Sequence, residues 1–254
     1  MSETGITERY VDAERRHWWY RGRRRILLHL LERYLEPGRP RSILDVGSGS
    51  GQMLLMLRRF GDVRGIETDP ALVRHARSQN LDIAVKEFPR EVPDGRFDVV
   101  TLFDVLEHLE DDRAGLDAIH RLLTEDGYLF ITVPSQPWLY STYDEAAGHF
   151  RRYDEALLMR RLHESRFRVI HRSHFNTFLM PLAVAARLMR LRDGRRPPPA
   201  TTCERLGALQ DHDLKIPARP LNELLARIFG AEAAWACGPG LPTGVSLVAV
   251  ARKS

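Results

Sequence analysis

The stretch that most constrains this chain is Ile43-Leu44-Asp45-Val46-Gly47-Ser48-Gly49-Ser50-Gly51. A short apolar strand runs into a turn with glycine at every second position, and a helix-forming run, 52–59, follows at once. Glycines at that spacing permit positive φ and let a ligand press against bare backbone. The helix start adds unpaired N–H groups and the positive end of a dipole. A ligand with a polar end is expected there, and the rest of the chain can be placed around it.

Hydrophobic residues make up 43% and charged residues 28% of the 254, the make-up of a folded globular chain. The net charge of +4 rests almost wholly on arginine, with lysine only at Lys86, Lys215 and Lys253. That bias beside many alanines is a genomic habit, so the basic balance does not by itself point to nucleic acid. Cys203 and Cys237 form no disulfide framework and no metal spacing. The first twelve residues are polar and acidic, unlike a secretory leader. No apolar run reaches the ~20 residues that span a bilayer. The expectation is a cytoplasmic protein.

Apolar segments and helical patterns alternate after the turn. Strands are expected at 42–46, 63–66, 81–85, 97–103, 128–133 and 167–171, with a last alternating strand at 245–251. Helices are expected at 26–35, 71–79, 111–123 and 154–164, with Asp69 or Thr68 as a cap before Pro70 and Asp154 as another cap. This alternation means βαβ units, a parallel sheet and helices on both faces. Right-handed crossovers put every loop that follows a strand on one edge, where ligands bind. Three regions follow: an N-terminal helical cap (1–38), an α/β core (39–173 with 241–254), and a helical insertion (174–240) that holds helices at 178–191 and 221–235. In the cap, arginines interleave with His17, Trp18, Trp19 and Tyr20 over 9–25. Those aromatics either pack the cap on the core or line the mouth of the site.

A glycine turn alone separates few functions. Glu67, at the end of the next strand, is placed to accept both hydroxyls of a ribose. The spacing Gly-x-Gly-x-Gly, with Gln52 where a dinucleotide site has its third glycine, argues against a dinucleotide. With Asp104-Val105-Leu106-Glu107-His108 after strand 4, the chain resembles the class I S-adenosylmethionine-dependent methyltransferases, tightly over 40–135. More narrowly it is similar to bacterial small-molecule and glycan-type members, through His17-Trp18-Trp19 and the Ser-x-x-Asp-x-x-x-Gly-His-x-Arg-Arg-Tyr loop of 141–153.

The resemblance implies a Rossmann-like sheet of seven strands, the last antiparallel, and S-adenosylmethionine as cofactor. Asp45 would orient the turn and meet the methionine amino group. Gly47, Ser48, Gly49 and Gly51 would admit the methionine and ribose, Glu67 would hold the ribose hydroxyls, and Thr68 would lie beside the adenine. Phe103 and Asp104 complete the cofactor set. The chain departs from the pattern after strand 3, where Lys86-Glu87-Phe88 stands in place of an adenine-binding Asp. Glu87 then substitutes, or Phe88 stacks.

Methyl transfer from a sulfonium needs alignment and dryness more than covalent help. A hydroxyl acceptor gains from a base. His149, on a ligand-edge loop, is the first candidate, with Asp144 to orient it and His108 second. His149 equally reads as a structural hydrogen bond in its loop, and His108 as a helix-start residue packed beneath it. Trp138, Tyr143, Arg151, Arg152 and Tyr153 are the candidate acceptor contacts. The two arginines would clamp an anionic group or form salt bridges within the loop. No metal is expected, because Asp144 and His149 have no evident third ligand.

A nucleic-acid substrate is not expected: there is no Pro-Pro-aromatic motif after strand 4 and no Pro-Cys nucleophile at the ligand edge. The expected acceptor is a hydroxyl on a glycan, lipid-linked sugar or small natural product. N-methylation, or a non-catalytic protein of the same fold, stays as the alternative. The apolar run 178–191, with Arg187, Arg190, Arg192, Arg195 and Arg196 in or after it, packs on the sheet or, in a second reading, meets an anionic inner-membrane surface through 178–196. The oligomeric state is left open.

Overall fold

The computed structural model describes residues 3–36, 39–185 and 215–254. Two helices, α1 (Glu3–Arg16) and α2 (Trp18–Tyr34), precede the sheet. The strands are β1 (Ser42–Val46), β2 (Asp62–Glu67), β3 (Ile83–Val85), β4 (Phe97–Phe103), β5 (Leu123–Pro134), β6 (Phe167–Phe175) and β7 (Ser246–Lys253). Between them lie α3 (Gln52–Leu57), α4 (Pro70–Ser78), α5 (Asp112–Leu122), α6 (Thr142–Ala147), α7 (Glu155–Glu164), α8 (Arg219–Ala231) and α9 (Ala233–Ala236).

All seven strands form one sheet in the order β3-β2-β1-β4-β5-β7-β6. The pairs from β3 across to β5 are parallel, and β7 runs antiparallel between β5 and β6. This is the expected architecture. It brings the loops after β1, β2, β4 and β5 to one edge.

Each central strand is buried on both faces, which is why the strands read as unbroken apolar runs. Successive residues feed opposite layers, as the two-residue period of a strand requires. Leu44, Val100, Leu129, Ile131, Leu247 and Ala249 pack with Leu116 and Ile119 of α5 and Leu158 and Leu162 of α7. Ile43, Val99, Phe130, Val248 and Val250 pack against Ile26, Leu27, Leu30 and Leu31 of α2 and Phe229 of α8. The N-terminal helices are thus one wall of the core. A smaller cluster of Leu54, Val73, Ala76, Leu81 and Ile83 closes the β3 side.

The caps follow the local chemistry. Asp69 accepts from the amides of Ala71 and Leu72, with Pro70 at the first helical position. Asp111 and Asp154 cap α5 and α7 in the same way.

Several boundaries differ from the sequence expectation. Within the expected 1–38 cap, residues 3–16 and 18–34 are helical, so helix begins well before the expected 26–35. β5 starts at Leu123, because the chain pairs Phe97 with Leu123 and then slips register before Val99 meets Tyr128. β6 runs on to Phe175, past the 173 boundary, since β7 offers partners as far as Ser246. The expected 221–235 helix is two helices, α8 and α9, with Glu232 between them; its carboxylate accepts from the amides of Thr177 and Phe178. Of the expected 178–191 helix, residues 178–179 form a turn and 180–185 are helical; 186–191 and the Pro/Arg linker lie outside the described residues.

α2 and α8 approach closely at Gly22. A Cβ there would fall 2.4 Å from Cδ1 of the fully buried Phe229. Gly22→Ala gains helix propensity of up to about 1 kcal/mol but overpacks this contact by about 1–3 kcal/mol. A net loss of stability is expected in urea melts, and Phe229→Leu in the same chain should recover part of it.

Candidate active site

β1 delivers the glycine turn to the loop edge. Gly47, Gly49 and Gly51 all take positive φ, at 74°, 55° and 90°. The amides of Gly47 and Ser48 both donate to the Ile66 carbonyl at 2.9 and 3.1 Å, which ties the turn to the end of β2. Ser48 Oγ donates back to the Asp45 carbonyl at 3.0 Å. A side chain at Gly47 would bring its Cβ to 2.4 Å from Val105, so the loop after β4 reaches over the turn.

Glu67 sits beside this turn. Its Oε2 accepts from the Gly49 amide at 2.9 Å, and its Oε1 accepts from the Thr68 amide and hydroxyl and from the Asp69 amide. The carboxylate is therefore fixed in place, and Oε2 retains capacity for a further donor. Asp45, at the end of β1, is buried. Its Oδ1 accepts from Thr101 Oγ1, while Oδ2 has no hydrogen-bond partner among the described residues. Burial pushes its carboxyl up to about 7 against the opposing pull of the Thr101 and Ser48 hydroxyls.

The N-terminal helices supply groups that the sequence reading missed individually. Glu14 of α1 is buried, and its Oε2 accepts from the Ser50 amide at 3.0 Å. Burial raises its carboxyl, and the bonds from Ser50 offset part of that rise. A Cβ at Gly49 would meet Glu14 Oε1 at 2.9 Å and the Tyr10 hydroxyl at 3.3 Å, so α1 lies against the turn. Arg23 of α2 is buried, pairs with Asp104 Oδ2 at 2.5 Å, and lies over the rings of Trp19 and Phe103. Its Nε has no hydrogen-bond partner among the described residues. Asp104 takes positive φ, and its Oδ1 accepts from Thr132. The Arg/aromatic interleaving of 9–25 was the available signal, and its packing reading holds for Trp18. Trp19 is under Arg23 at the site, whereas Trp18 packs edge-on against Phe229.

The second half of the site is the loop after β5. Asp144, in the first turn of α6, forms a capping box with the N-cap Ser141 and is completely buried. Its Oδ2 accepts from the Ser141 amide and hydroxyl. Its Oδ1 accepts from Arg152 Nε at 2.7 Å and from His149 Nδ1 at 3.1 Å. The carboxylate thus holds the imidazole in one tautomer, lone pair at Nε2. The His149 ring meets the His108 ring edge-on, centroids 4.7 Å apart. His108 Nδ1 donates to the Gly148 carbonyl at 3.3 Å, and the Phe150 amide donates to the Glu107 carbonyl at 2.8 Å. The β4 and β5 loops are therefore joined here. Glu107 is buried, and burial, with Asp104 near, pushes its carboxyl well above the usual range.

Other expected contacts are placed differently. Arg152 is buried and committed to Asp144 and the Ser135 carbonyl. Tyr153 is fully buried, and its hydroxyl donates to Asp112. Arg151 donates to the Leu109 and Glu110 carbonyls and pairs with Asp112 at 3.3 Å. These three side chains brace the loop instead of facing an acceptor, because buried polar atoms must find partners locally. Trp138 is 62% exposed and Tyr143 is half-buried on α6. Glu87 is exposed and pairs with Arg90, while Phe88 is buried in the core. Phe88 therefore presents no open face for stacking.

A family model described as a methyltransferase domain matches residues 18–178. A ubiquinone biosynthesis O-methyltransferase of Xanthomonas oryzae is 33% identical over 154 residues, 57% of this chain and 59% of that protein. The enzyme of the same description from Pseudomonas paraeruginosa is 33% identical over 111 residues, 39% of this chain and 47% of that protein. The chain therefore spans about half the length of the curated relatives it matches. An S-adenosylmethionine-dependent methyltransferase of Archaeoglobus fulgidus superposes with a TM-score of 0.54 at 17% identity, covering 90% of this chain and 94% of that one, a likeness of fold. With the family model spanning more than half of the chain, and the seven-stranded sheet and glycine turn arranged as described, this chain belongs to the class I S-adenosylmethionine-dependent methyltransferases.

Proposed function

We propose that this methyltransferase acts on a hydroxyl of a small organic acceptor, a natural product or a glycan or lipid-linked sugar, with His149 taking the proton. The observation that carries the reading is the Asp144–His149 pair, a buried carboxylate orienting an imidazole on the loop after β5. The O-methyltransferase relatives support oxygen as the acceptor atom. Nothing in the likeness extends to their substrates.

The cofactor, when bound, supplies a methyl group on a positively charged sulfur. The residues present fit it. Oδ2 of buried Asp45, without a hydrogen-bond partner among the described residues, suits the methionine ammonium, and Glu67 Oε2 suits a ribose hydroxyl. Arg23, with Nε unsatisfied, is the nearby cation for the methionine carboxylate. Ser48 to Gly51 are buried and α1 side chains lie against Gly49, which would limit water on that side of the turn, while Gly47 is exposed.

Around that ligand the chain does three things. It aligns the acceptor oxygen with the methyl carbon, which accounts for most of the rate in such transfers. His149 would take the hydroxyl proton of the acceptor, at Nε2, as the methyl group is transferred to that oxygen. Asp144 holds the ring and stabilises the imidazolium that results.

The alternative of an interfacial helix at 178–196 rests largely on residues outside those described. Phe178 and Leu182 are exposed, and no described helix is long and apolar enough to cross a membrane.

Two outcomes are expected. His149→Ala should lower kcat on a hydroxyl acceptor by about 10²–10⁴-fold and leave binding of S-adenosylhomocysteine unchanged by calorimetry. An unchanged kcat would favour an amine acceptor, which needs no base. The acceptor itself is sought by labelled-methyl transfer into extracts fractionated into lipid, glycan and small-molecule pools.

The second outcome concerns Asp45. Because burial raises its folded carboxyl to about 7, the free protein holds it protonated below that pH. An ammonium beside it favours the carboxylate, so binding expels a proton. Affinity for S-adenosylhomocysteine should fall by up to about tenfold per unit as pH drops below 7, and level off above it. The same raised carboxyl costs stability as pH rises from its ordinary range, about 4, up to 7. Asp45→Asn should therefore raise the melting temperature at pH 8 while weakening cofactor binding and flattening its pH dependence.

A further inference from the structure

Glu107, His108 and His149 stand out as a cluster that the reaction does not fully use. One ligating atom from each lies within 4.8 Å of the others. They come from two loops that the backbone already joins, through the Phe150 amide on the Glu107 carbonyl and the His108 ring on the Gly148 carbonyl. The sequence showed no third ligand because Glu107 lies in a different loop from Asp144 and His149.

We infer that Glu107, His108 and His149 form a binding site for one divalent transition-metal cation, with Asp144 as the carboxylate that orients His149. Two observations support it, an unpartnered buried carboxylate oxygen and a pre-oriented imidazole. The Glu107 side chain is 1% exposed, and its Oε2 has no hydrogen-bond partner among the described residues, an arrangement that costs stability unless something takes the oxygen. His149 donates its Nδ1 proton to Asp144, the outer carboxylate that metal-binding histidines regularly use to fix ring and tautomer. Asp144 is in turn held by Ser141 and Arg152, so the ligand is fixed in orientation before any ion arrives. The donor set of two imidazoles and one carboxylate selects Zn²⁺, Co²⁺ or Ni²⁺ over Mg²⁺ or Ca²⁺, which prefer all-oxygen surroundings. Around such an ion the ligating atoms stand about 3.3 Å apart, within reach of side-chain rotation from the present spacing.

The inference does not rest on the hydroxyl reading, since it concerns what the cluster binds. The lone pair of His149 serves the cation or the acceptor's proton, one at a time.

The test uses tag-free, full-length protein stripped with EDTA and titrated by calorimetry with Zn²⁺, then with Co²⁺ followed by its visible absorption. The expected result is one ion per chain with micromolar or tighter affinity, and a Co²⁺ spectrum of low-symmetry, nitrogen-containing coordination. His108→Ala, His149→Ala and Glu107→Gln should each weaken binding by about tenfold or more. His108 is exposed, so His108→Ala tests the site without threatening the fold. Retained S-adenosylhomocysteine binding checks that each variant is folded. Mg²⁺ at the same concentration should not displace Zn²⁺. Absence of binding, or binding that His108→Ala and Glu107→Gln leave intact, overturns the proposal. Failure of methyl transfer to hydroxyl acceptors would count against the acceptor reading alone, because the metal titration needs neither acceptor nor cofactor.

Discussion

The two N–H groups of Gly47 and Ser48 on one carbonyl, Ile66, set the position of everything else at the site. That bifurcated tie makes the end of β2 and the turn after β1 a single piece. Glu67, the next residue, can then reach the Gly49 amide with one oxygen and the start of the α4 cap with the other. Only positive φ at three glycines allows so tight a path, and the strand register β1–β2 places the two ends side by side. The placement of Glu67 against the turn is thus a consequence of parallel pairing plus positive φ at three glycines.

The N-terminal helices cover one side of this turn. α2 belongs to the core, with four of its side chains buried against the sheet, so Arg23 is held where it meets Asp104. α1 adds Glu14 and Tyr10 against the turn. Buried charge is expensive and needs partners. Asp45, Asp104, Glu14 and Arg23 share one neighbourhood in which opposite charges offset one another's desolvation. A cationic, zwitterionic ligand suits such a place better than a simple anion would, which corrects the first impression that a helix N-terminus gives.

The acceptor side is built differently. Its backbone is a loop, and its rigidity comes from one carboxylate. Asp144 takes bonds from Ser141, Arg152 and His149, and Tyr153 and Arg151 anchor the end of the loop on Asp112. Residues that looked like acceptor contacts in the sequence, Arg152 and Tyr153 above all, are consumed in holding His149 in place. Function on this loop therefore depends on a few exposed or half-buried groups supported by many buried ones.

Much was legible in advance. The glycine turn, Glu67 at the end of the next strand and the alternation of strands and helices are local patterns, and they determine the sheet, the crossovers and the ligand edge. The caps at Asp69 and Asp154 are local as well. Groups that act across distant parts of the chain were not legible. Glu14 on the Ser50 amide is 36 residues away in sequence, and nothing near Glu14 distinguishes it from other helix acids. Glu107 beside His149 depends on how two loops meet. Phe88 looked like a stacking ring, but its neighbours in space make it core. The sequence by itself determined the fold class, through periodicity and backbone permissiveness, and its motifs resembled a family whose cofactor is S-adenosylmethionine. Only the tertiary structure decided which polar side chains face the site and which are spent on holding it, because burial and pairing are properties of what lies opposite.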